Sequence, residues 1–201
     1  MANLLLIATN NPGKQREFRA LLSRTPIDLV FPKDLGIDFE VEENGSTYLK
    51  NAFLKAKNFF DLSGLPTMAD DSGLEVDVLN GEPGINSHRY TGISTASDAE
   101  RRLFLLNKVA SFPQPWKAAF RCAIAIIDTQ GAVHHFYGSC QGEIIAEERG
   151  SGGFGYDPIF FMPALNATMA ELPEEVKNTV SHRANALNNA MDYLKTLYEA
   201  E

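Results

Sequence analysis

The sequence is poor in cysteine and lacks long apolar runs. Among its 201 residues, only Cys122 and Cys140 are cysteines. They form no CxxC pair that would indicate a zinc or redox site. Two thiols in a chain of this length are more often reduced core residues than a disulfide. No stretch reaches the roughly 18 consecutive apolar residues of a membrane-spanning helix, so we expect no membrane partner.

A secretion signal and a basic surface are also missing. The first apolar run has no basic residue before it and is soon followed by Asn10-Asn11-Pro12. It therefore predicts a strand, not a signal peptide, and we expect a cytoplasmic location. Acidic residues outnumber basic ones by 26 to 18. Because a nucleic-acid backbone needs a basic face, we expect no nucleic-acid partner, although a few cations with a metal can hold a small phosphate ligand.

Helix and strand patterns alternate along the whole chain. Strands are predicted at residues 4–8, 67–70, 74–78, 118–127, 132–139 and 156–161, and helices at 12–24, from 46, at 97–110 and from 181. Asn11-Pro12 predicts a helix start, and Ser97 with Glu100 forms a capping box. Residues 128–131 predict a hairpin turn, so the sheet is not purely parallel. We predict one α/β domain over residues 1–201, with a mixed sheet.

The stretch Thr9-Asn10-Asn11-Pro12-Gly13-Lys14 joins the first predicted strand to the first helix. Free backbone N–H groups at a helix start favour an anion, and the Thr and Asn side chains and Lys14 add donors. It is not a Walker A loop, because the earlier glycine is absent and Gln15 follows the lysine. A capped turn without a ligand is the alternative.

Acidic residues precede the second helix at Glu40, Glu42 and Glu43, and Asp70-Asp71-Ser72-Gly73 follows a predicted strand. Mg²⁺ takes one or two carboxylates and completes its coordination with water and phosphate. Open α/β folds present ligand groups at the carboxyl ends of strands. These residues are therefore candidate magnesium ligands, with a solvated loop or an ordinary turn as the alternatives.

Gly150-Ser151-Gly152-Gly153-Phe154-Gly155 matches GxGxxG, but a strand and not a helix is predicted after it. We therefore reject dinucleotide binding. Phe154, Tyr156 and Asp157 are predicted to form a wall for a planar base, with core packing as the alternative. Lys177 and Ser181-His182-Arg183 flank a predicted helix start and form another candidate anion site, unless they only cap that helix.

Four of these stretches together resemble a known family. They are Thr9-x-Asn-x-x-Lys14, Ala69-Asp-Asp-Ser-Gly-Leu74, Gly152-Gly-Phe-Gly-Tyr-Asp-Pro158 and Ser181-His-Arg183. In this order they resemble the Ham1 (RdgB) family of inosine triphosphate pyrophosphatases, over about residues 4–197. The resemblance implies an elongated α/β fold with a central mixed sheet and two lobes around a substrate cleft. It also implies a homodimer, a Mg²⁺ requirement and attack on the α-phosphorus of ITP, dITP or XTP, giving the monophosphate and pyrophosphate.

The resemblance also implies a role for each site residue. The phosphates would be held by Thr9, Asn10, Asn11, Pro12, Gly13, Lys14, Lys55 and Lys177. Glu43 and Asp71 would bind the metal, with Asp71 also the base and Glu42 the alternative to Glu43. Ser72 would lie near the substrate, and the base would be surrounded by Phe154, Gly155, Tyr156, Asp157, His182 and Arg183. Hydrolysis of another nucleotide, and nucleotide binding without turnover, are the competing hypotheses.

Overall fold

The computed structural model describes residues 3–199, which form seven strands and five α-helices besides short 3₁₀ turns. The strands are β1 (Leu4–Ile7), β2 (Asp28–Val30), β3 (Thr67–Val76), β4 (Trp116–Ile127), β5 (Val133–Ile144), β6 (Phe160–Met162) and β7 (Ala167–Thr168). The helices are α1 (Pro12–Leu22), α2 (Tyr48–Ser63), α3 (Asp98–Val109), α4 (Glu174–Val180) and α5 (His182–Glu199).

All seven strands belong to one sheet, in the order β2-β1-β3-β4-β5-β6-β7. β1 is parallel to both β2 and β3, whereas β6 is antiparallel to both β5 and β7. The predicted α/β class with a mixed sheet is therefore confirmed. β1 ends at Ile7, which lies opposite Met68, so the Asp70-Asp71 part of β3 extends past the end of its neighbour.

Local capping explains where the helices begin. Asn11 is the N-cap of α1, and Thr47 caps α2 by accepting a hydrogen bond from the Lys50 backbone N–H at 3.2 Å. Ser97 and Glu100 form the predicted capping box of α3. These side chains satisfy backbone donors that lack partners inside the helix, and the predicted starts are confirmed to within about two residues.

Two predictions of secondary structure were wrong. Residues 67–78 do not form two strands around a turn, because residues 67–76 are one continuous strand. The polar Asp70 and Asp71 remain in it because their carboxylates have buried partners. Residues 157–159 form a 3₁₀ turn, and only residues 160–162 form a strand; Pro158 cannot donate to a sheet. Helix α4 was not predicted.

The chain divides into two compact units. Unit 1 comprises residues 1–71, 122–138 and 183–201, and unit 2 comprises residues 72–121 and 139–182. The core of unit 1 includes Phe18 and Ile124, and the core of unit 2 includes Leu105 and Phe160. Within residues 3–199, no helix combines the length and apolar character that a bilayer crossing requires. The single domain over residues 1–201 stays a prediction.

Candidate active site

In unit 1, the stretch from Thr9 to Lys14 is a capped strand-to-helix turn. The Asn11 Oδ1 accepts hydrogen bonds from the backbone N–H groups of Gly13 at 2.8 Å and Lys14 at 3.1 Å. Thr9 Oγ1 accepts one from the Asn11 backbone N–H at 3.2 Å. Two N–H groups that the sequence offered to an anion are therefore already bonded within the turn.

Asn10 and Pro12 are the residues of this turn that are exposed to solvent. Asn10 Nδ2 donates a long hydrogen bond of 3.4 Å to the Phe39 carbonyl oxygen. Lys14 carries the charge of the turn, and its Nζ lies 2.9 Å from Asp70 Oδ2. Charge at this turn is therefore concentrated in one lysine that already has a carboxylate partner.

Asp70 is the centre of a buried charged cluster in unit 1. Its Oδ2 accepts hydrogen bonds from Arg183 Nε at 3.0 Å and Nη2 at 2.9 Å, besides pairing with Lys14. Arg183, only 1% exposed, also pairs with Glu17. Burial alone would raise the pKa of Asp70, but Arg183 and Lys14 lower it well below the usual value. Two cations and two carboxylates thus balance each other inside this cluster.

Asp71 lies on the opposite face of β3, because successive side chains of a strand alternate. Its Oδ2 accepts a hydrogen bond from Asn51 Nδ2 at 3.0 Å. Its Oδ1 lies 3.8 Å from Lys55 Nζ. Burial raises the pKa of Asp71, Lys55 opposes the rise, and Glu43 adds to it, so that the net pKa lies above the usual value. Asp71 therefore accepts a proton more readily than an exposed aspartate.

Lys55 contacts both carboxylates to which the resemblance assigns a metal. Its Nζ donates a hydrogen bond to Glu43 Oε1 at 2.6 Å and also approaches Asp71. Burial alone would lower the pKa of Lys55, but attraction to Asp71 and Glu43 outweighs this effect and raises it. Lys55 therefore stays a cation between the two acidic groups. Of the two alternatives for the second acid, Glu43 contacts Lys55.

The donor chemistry of Glu43 and Asp71 fits a hard divalent cation. Within residues 3–199 there is no group of three or more His, Cys, Asp or Glu side chains that could hold a metal. Mg²⁺, however, is usually bound by only one or two carboxylates, together with water and substrate phosphate. Two carboxylates that already surround one positive group match that requirement.

In unit 2, glycines allow the loop at residues 150–155 to pack tightly. At Gly150, whose φ is +80°, an added Cβ would lie 2.5 Å from the carbonyl carbon of Ala170. At Gly153, whose φ is +71°, an added Cβ would lie 2.0 Å from Asp157 Oδ2. Both positions therefore require glycine, for conformation and for space.

Asp157 holds this loop through a hydrogen bond to its backbone. Its Oδ2 accepts hydrogen bonds from the Phe154 backbone N–H at 2.9 Å and from Lys177 Nζ at 2.7 Å. Lys177 Nζ also lies 5.1 Å from the centroid of the Phe154 ring, within cation–π distance. Asp157 and Lys177 are both buried, whereas Phe154 is partly exposed. Unit 2 thus presents an aromatic ring above a buried ion pair.

Tyr156 and His182 are both buried in unit 2. Tyr156 is 5% exposed, packs in the core of unit 2 and donates a hydrogen bond to the Ser87 carbonyl oxygen at 2.8 Å. His182 is 7% exposed and stacks on Phe120 with ring centroids 4.7 Å apart. Core packing, the alternative for the aromatic residues of this motif, therefore describes Tyr156, while Phe154 keeps an exposed surface.

The sequence profile of the Ham1 family matches residues 5–193, almost the whole chain. The chain belongs to the Ham1 family.

Relatives of this Ham1-family chain include curated proteins and solved structures. The dITP/XTP pyrophosphatase of Geobacter sulfurreducens is 47% identical over 191 residues, covering 94% of this chain and 96% of the relative. That of Pectobacterium atrosepticum is 45% identical over 196 residues, covering 95% and 98%. Among solved structures, the Staphylococcus aureus Ham1 protein is 40% identical in sequence, with a TM-score of 0.83. The match covers 96% of this chain and 98% of the Staphylococcus aureus chain. A HAM1 protein from Coxiella burnetii is 38% identical, with a TM-score of 0.86 and the same coverage.

The predicted site residues of this Ham1-family chain fall into two sets. Unit 1 contains Thr9 to Lys14, Glu43, Lys55, Asp71 and Arg183, and unit 2 contains Ser72, Phe154 to Asp157, Lys177 and His182. Two of these residues have charged partners within their own unit. Lys177, which the resemblance assigns to phosphate, contacts Asp157 and Phe154. Arg183, which the resemblance assigns to the base, is paired with Asp70 and Glu17.

Two residues of unit 1 that contact the predicted site residues were not predicted from the sequence. Asn51 is completely buried, binds Asp71 and accepts a hydrogen bond from the Gly45 backbone N–H at 2.8 Å. It lies four residues before Lys55 on α2, and this spacing places both on one helix face. Glu17 lies three residues after Lys14 on α1, another same-face spacing. In both cases, helical spacing from a chosen lysine was the signal.

Proposed function

We propose that this protein hydrolyses noncanonical purine nucleoside triphosphates (ITP, dITP and XTP) to the monophosphate and pyrophosphate, in a Mg²⁺-dependent reaction. Membership of the Ham1 family and relatives named dITP/XTP pyrophosphatases support the reaction. The observation that carries the proposal is the Glu43–Lys55–Asp71 group, in which two carboxylates and a buried cation meet. Transfer reactions at phosphorus depend mainly on such positioned charges.

The triphosphate is assigned to unit 1. Lys14 and Lys55 each have a carboxylate partner in the structure, and in the proposed complex phosphate oxygens bind to the same ammonium groups. The turn at residues 9–14 holds Lys14 in place and offers the exposed Asn10 side chain as a further donor. Arg183 takes a supporting role here, because it holds Asp70, which in turn holds Lys14.

Glu43 and Asp71 would hold Mg²⁺. When bound, the ion supplies positive charge against the phosphate oxygens. Asn51 fixes the orientation of the Asp71 carboxylate through Oδ2, and Lys55 keeps Glu43 turned towards Asp71.

Asp71 is proposed as the catalytic base. The oxygen of a water molecule forms a bond to the α-phosphorus, and the bond from that phosphorus to the bridging oxygen breaks. The electron pair leaves with pyrophosphate, and the proton of the water passes to Asp71. The raised pKa of Asp71, which follows first from its burial, favours this proton transfer at neutral pH.

The base is assigned to unit 2. Phe154 is the partly exposed aromatic residue on which a purine can stack. Lys177, which has only donors, lies beside that ring and suits a 6-oxo group better than a 6-amino group. A mismatched buried polar pair costs about 1–3 kcal/mol, so a few such contacts can separate hypoxanthine and xanthine from adenine. Asp157 and His182 complete this set.

A cytoplasmic homodimer is part of the same proposal, and it rests on the family resemblance. Sedimentation of the purified protein measures its oligomeric state directly. A species of one chain mass at micromolar concentration contradicts the dimer without affecting the reaction.

The decisive experiment offers the purified protein ITP, dITP, XTP, GTP and ATP with Mg²⁺ and measures pyrophosphate and orthophosphate separately. Selective release of pyrophosphate from ITP, dITP and XTP is the expected result. Equal use of ATP and GTP would indicate hydrolysis of ordinary nucleotides instead. Orthophosphate release would move the attack away from the α-phosphorus, and tight binding without product would indicate a nucleotide-binding module.

A further inference from the structure

Two side chains of helix α3 bind Gly155 in the glycine loop of unit 2. The Gly155 backbone N–H donates to Asp98 Oδ2 at 2.8 Å, and its carbonyl oxygen accepts from Arg102 Nη1 at 2.9 Å. Asp98 and Arg102 are four residues apart, so they project from the same face of α3. One helix face therefore binds both polar groups of one loop residue with two charged side chains.

Arg102 is itself held in a fixed orientation. Its Nε and Nη2 donate to the two carboxylate oxygens of Glu148, each at 2.8 Å. This fork-to-fork pairing restricts the guanidinium plane and directs Nη1 to the Gly155 carbonyl. Asp98 is held in turn by Arg101 on the next turn of the helix. Both contacts to Gly155 thus come from side chains with restricted freedom.

The position of Gly155 makes these contacts relevant to Phe154. The N–H bound by Asp98 belongs to the peptide bond that follows Phe154, and the N–H bound by Asp157 belongs to the one that precedes it. Carboxylates therefore hold the backbone on both sides of the aromatic residue. A glycine-rich loop has little conformational preference of its own, so these bonds restrict the backbone that carries the ring.

We propose that Asp98 and Arg102 are positioning residues that hold the Phe154 ring in its base-stacking orientation and so set the affinity for the purine. This inference rests on the proposed function, because it assumes that Phe154 stacks on the base. It goes beyond that function in assigning a role in nucleotide affinity to helix α3, whose sequence indicated only a helix with a capping box.

A double-mutant cycle tests whether the two residues act through Phe154. The variants are Asp98→Ala, Arg102→Ala, Phe154→Ala and each α3 variant combined with Phe154→Ala, all assayed with ITP for KM and kcat. Each single variant is expected to raise KM about tenfold, equivalent to about 1.4 kcal/mol, with kcat changed less than threefold. The double variants should resemble Phe154→Ala alone, because the ring that the α3 residues position is already absent.

Two further variants separate positioning from general stability. Asp98→Asn keeps an oxygen that can accept from Gly155, so it should restore KM to within about threefold of the wild type. Lys108, on the same helix, forms an exposed ion pair with Glu82. Lys108→Gln removes this pair and should leave KM unchanged. Thermal unfolding of every variant gives the accompanying loss of stability.

Additive effects on KM in the double variants would overturn the positioning role. Equal losses of stability and of activity with no change in KM would also overturn it. Neither outcome affects the proposed function if the wild type is active. A wild-type protein that releases no pyrophosphate from ITP would overturn both. A KM for Asp98→Asn as high as that for Asp98→Ala would also contradict the proposal.

Discussion

Neighbouring aspartates on the two faces of strand β3 in unit 1 have pKa values shifted in opposite directions. Asp70 shares its face with Met68 and is paired with Arg183 and Lys14, which lower its pKa. Asp71 shares its face with Ala69, and burial with incomplete compensation raises its pKa. One carboxylate is therefore held as a permanent anion and the other is able to accept a proton. The difference comes from the partners on each face, since the residue type is identical.

The largest expected effect comes from removing the cation on the Asp70 face. Arg183→Leu leaves Asp70 and Glu17 buried beside an apolar side chain. An uncompensated buried charge costs about 3–5 kcal/mol, and this loss should appear in the free energy of unfolding measured with urea. Lys195→Ala on the same helix removes only an exposed pair with Asp192 and should change it by less than about 0.5 kcal/mol. Similar values for both variants would refute a structural role for Arg183.

Asp71 itself should respond in activity instead of stability. Asp71→Asn removes the proposed base and a metal ligand, so kcat for ITP should fall at least about 100-fold, equivalent to about 2.7 kcal/mol in the activation barrier. Its thermal midpoint should fall less than that of Asp70→Asn, because burial raises the pKa of Asp71 and the attraction of Lys55 offsets this rise only in part. Asp70→Asn is the matched control and should lose stability. Near-normal turnover by Asp71→Asn would remove Asp71 from catalysis.

A smaller effect is expected from the amide that orients Asp71. Asn51→Ala removes hydrogen bonds to Asp71 and to the Gly45 backbone. A buried group left without its partner costs about 1–3 kcal/mol, measured by urea unfolding. Asn58→Ala on the same helix loses one bond, to the Leu54 carbonyl oxygen, and should cost less. If the two variants are equally stable, Asn51 does not support this face.

The smallest effect is a difference in pH dependence. Because the pKa of Asp70 is lowered in the folded state, the unfolded chain takes up this proton first as the pH falls. The stability from Asp70 is thus present at neutral pH and is lost below about pH 4. In metal-free protein, Asp70→Asn should therefore show a shallower fall in thermal midpoint between about pH 5 and 2.5. A slope equal to that of the wild type would contradict the lowered pKa.

Features that depend on neighbouring residues could be predicted from the sequence. The N-cap at Asn11 and the capping box at Ser97 involve bonds that span only two or three residues. The order of helices and strands follows from periodicity in the same way, and it was sufficient for the fold class. The resemblance carried by four short motifs added the family, which the comparison with relatives confirmed.

The partners of the charged residues could not be predicted in this way. Arg183 binds Asp70 across 113 residues of sequence, and Arg102 reaches the Gly155 carbonyl across 53. Such pairs depend on how the helices and strands pack together, so they cannot be predicted from the residues next to them in the sequence. This is why the pairing of Arg183 with Asp70 was not anticipated, and why the polar Asp71-Ser72-Gly73 stretch predicted a turn in what is a continuous strand.

The division of the chain has a consequence for its biosynthesis. The core of unit 1 combines Leu5 and Phe18, near the start of the chain, with Leu187 on α5. At a translation rate of roughly 5–20 residues per second, Leu5 is made roughly 10–40 s before Leu187. All of unit 2 is synthesised by His182. The core of unit 1 therefore cannot be completed until α5 is made, after the last residue of unit 2.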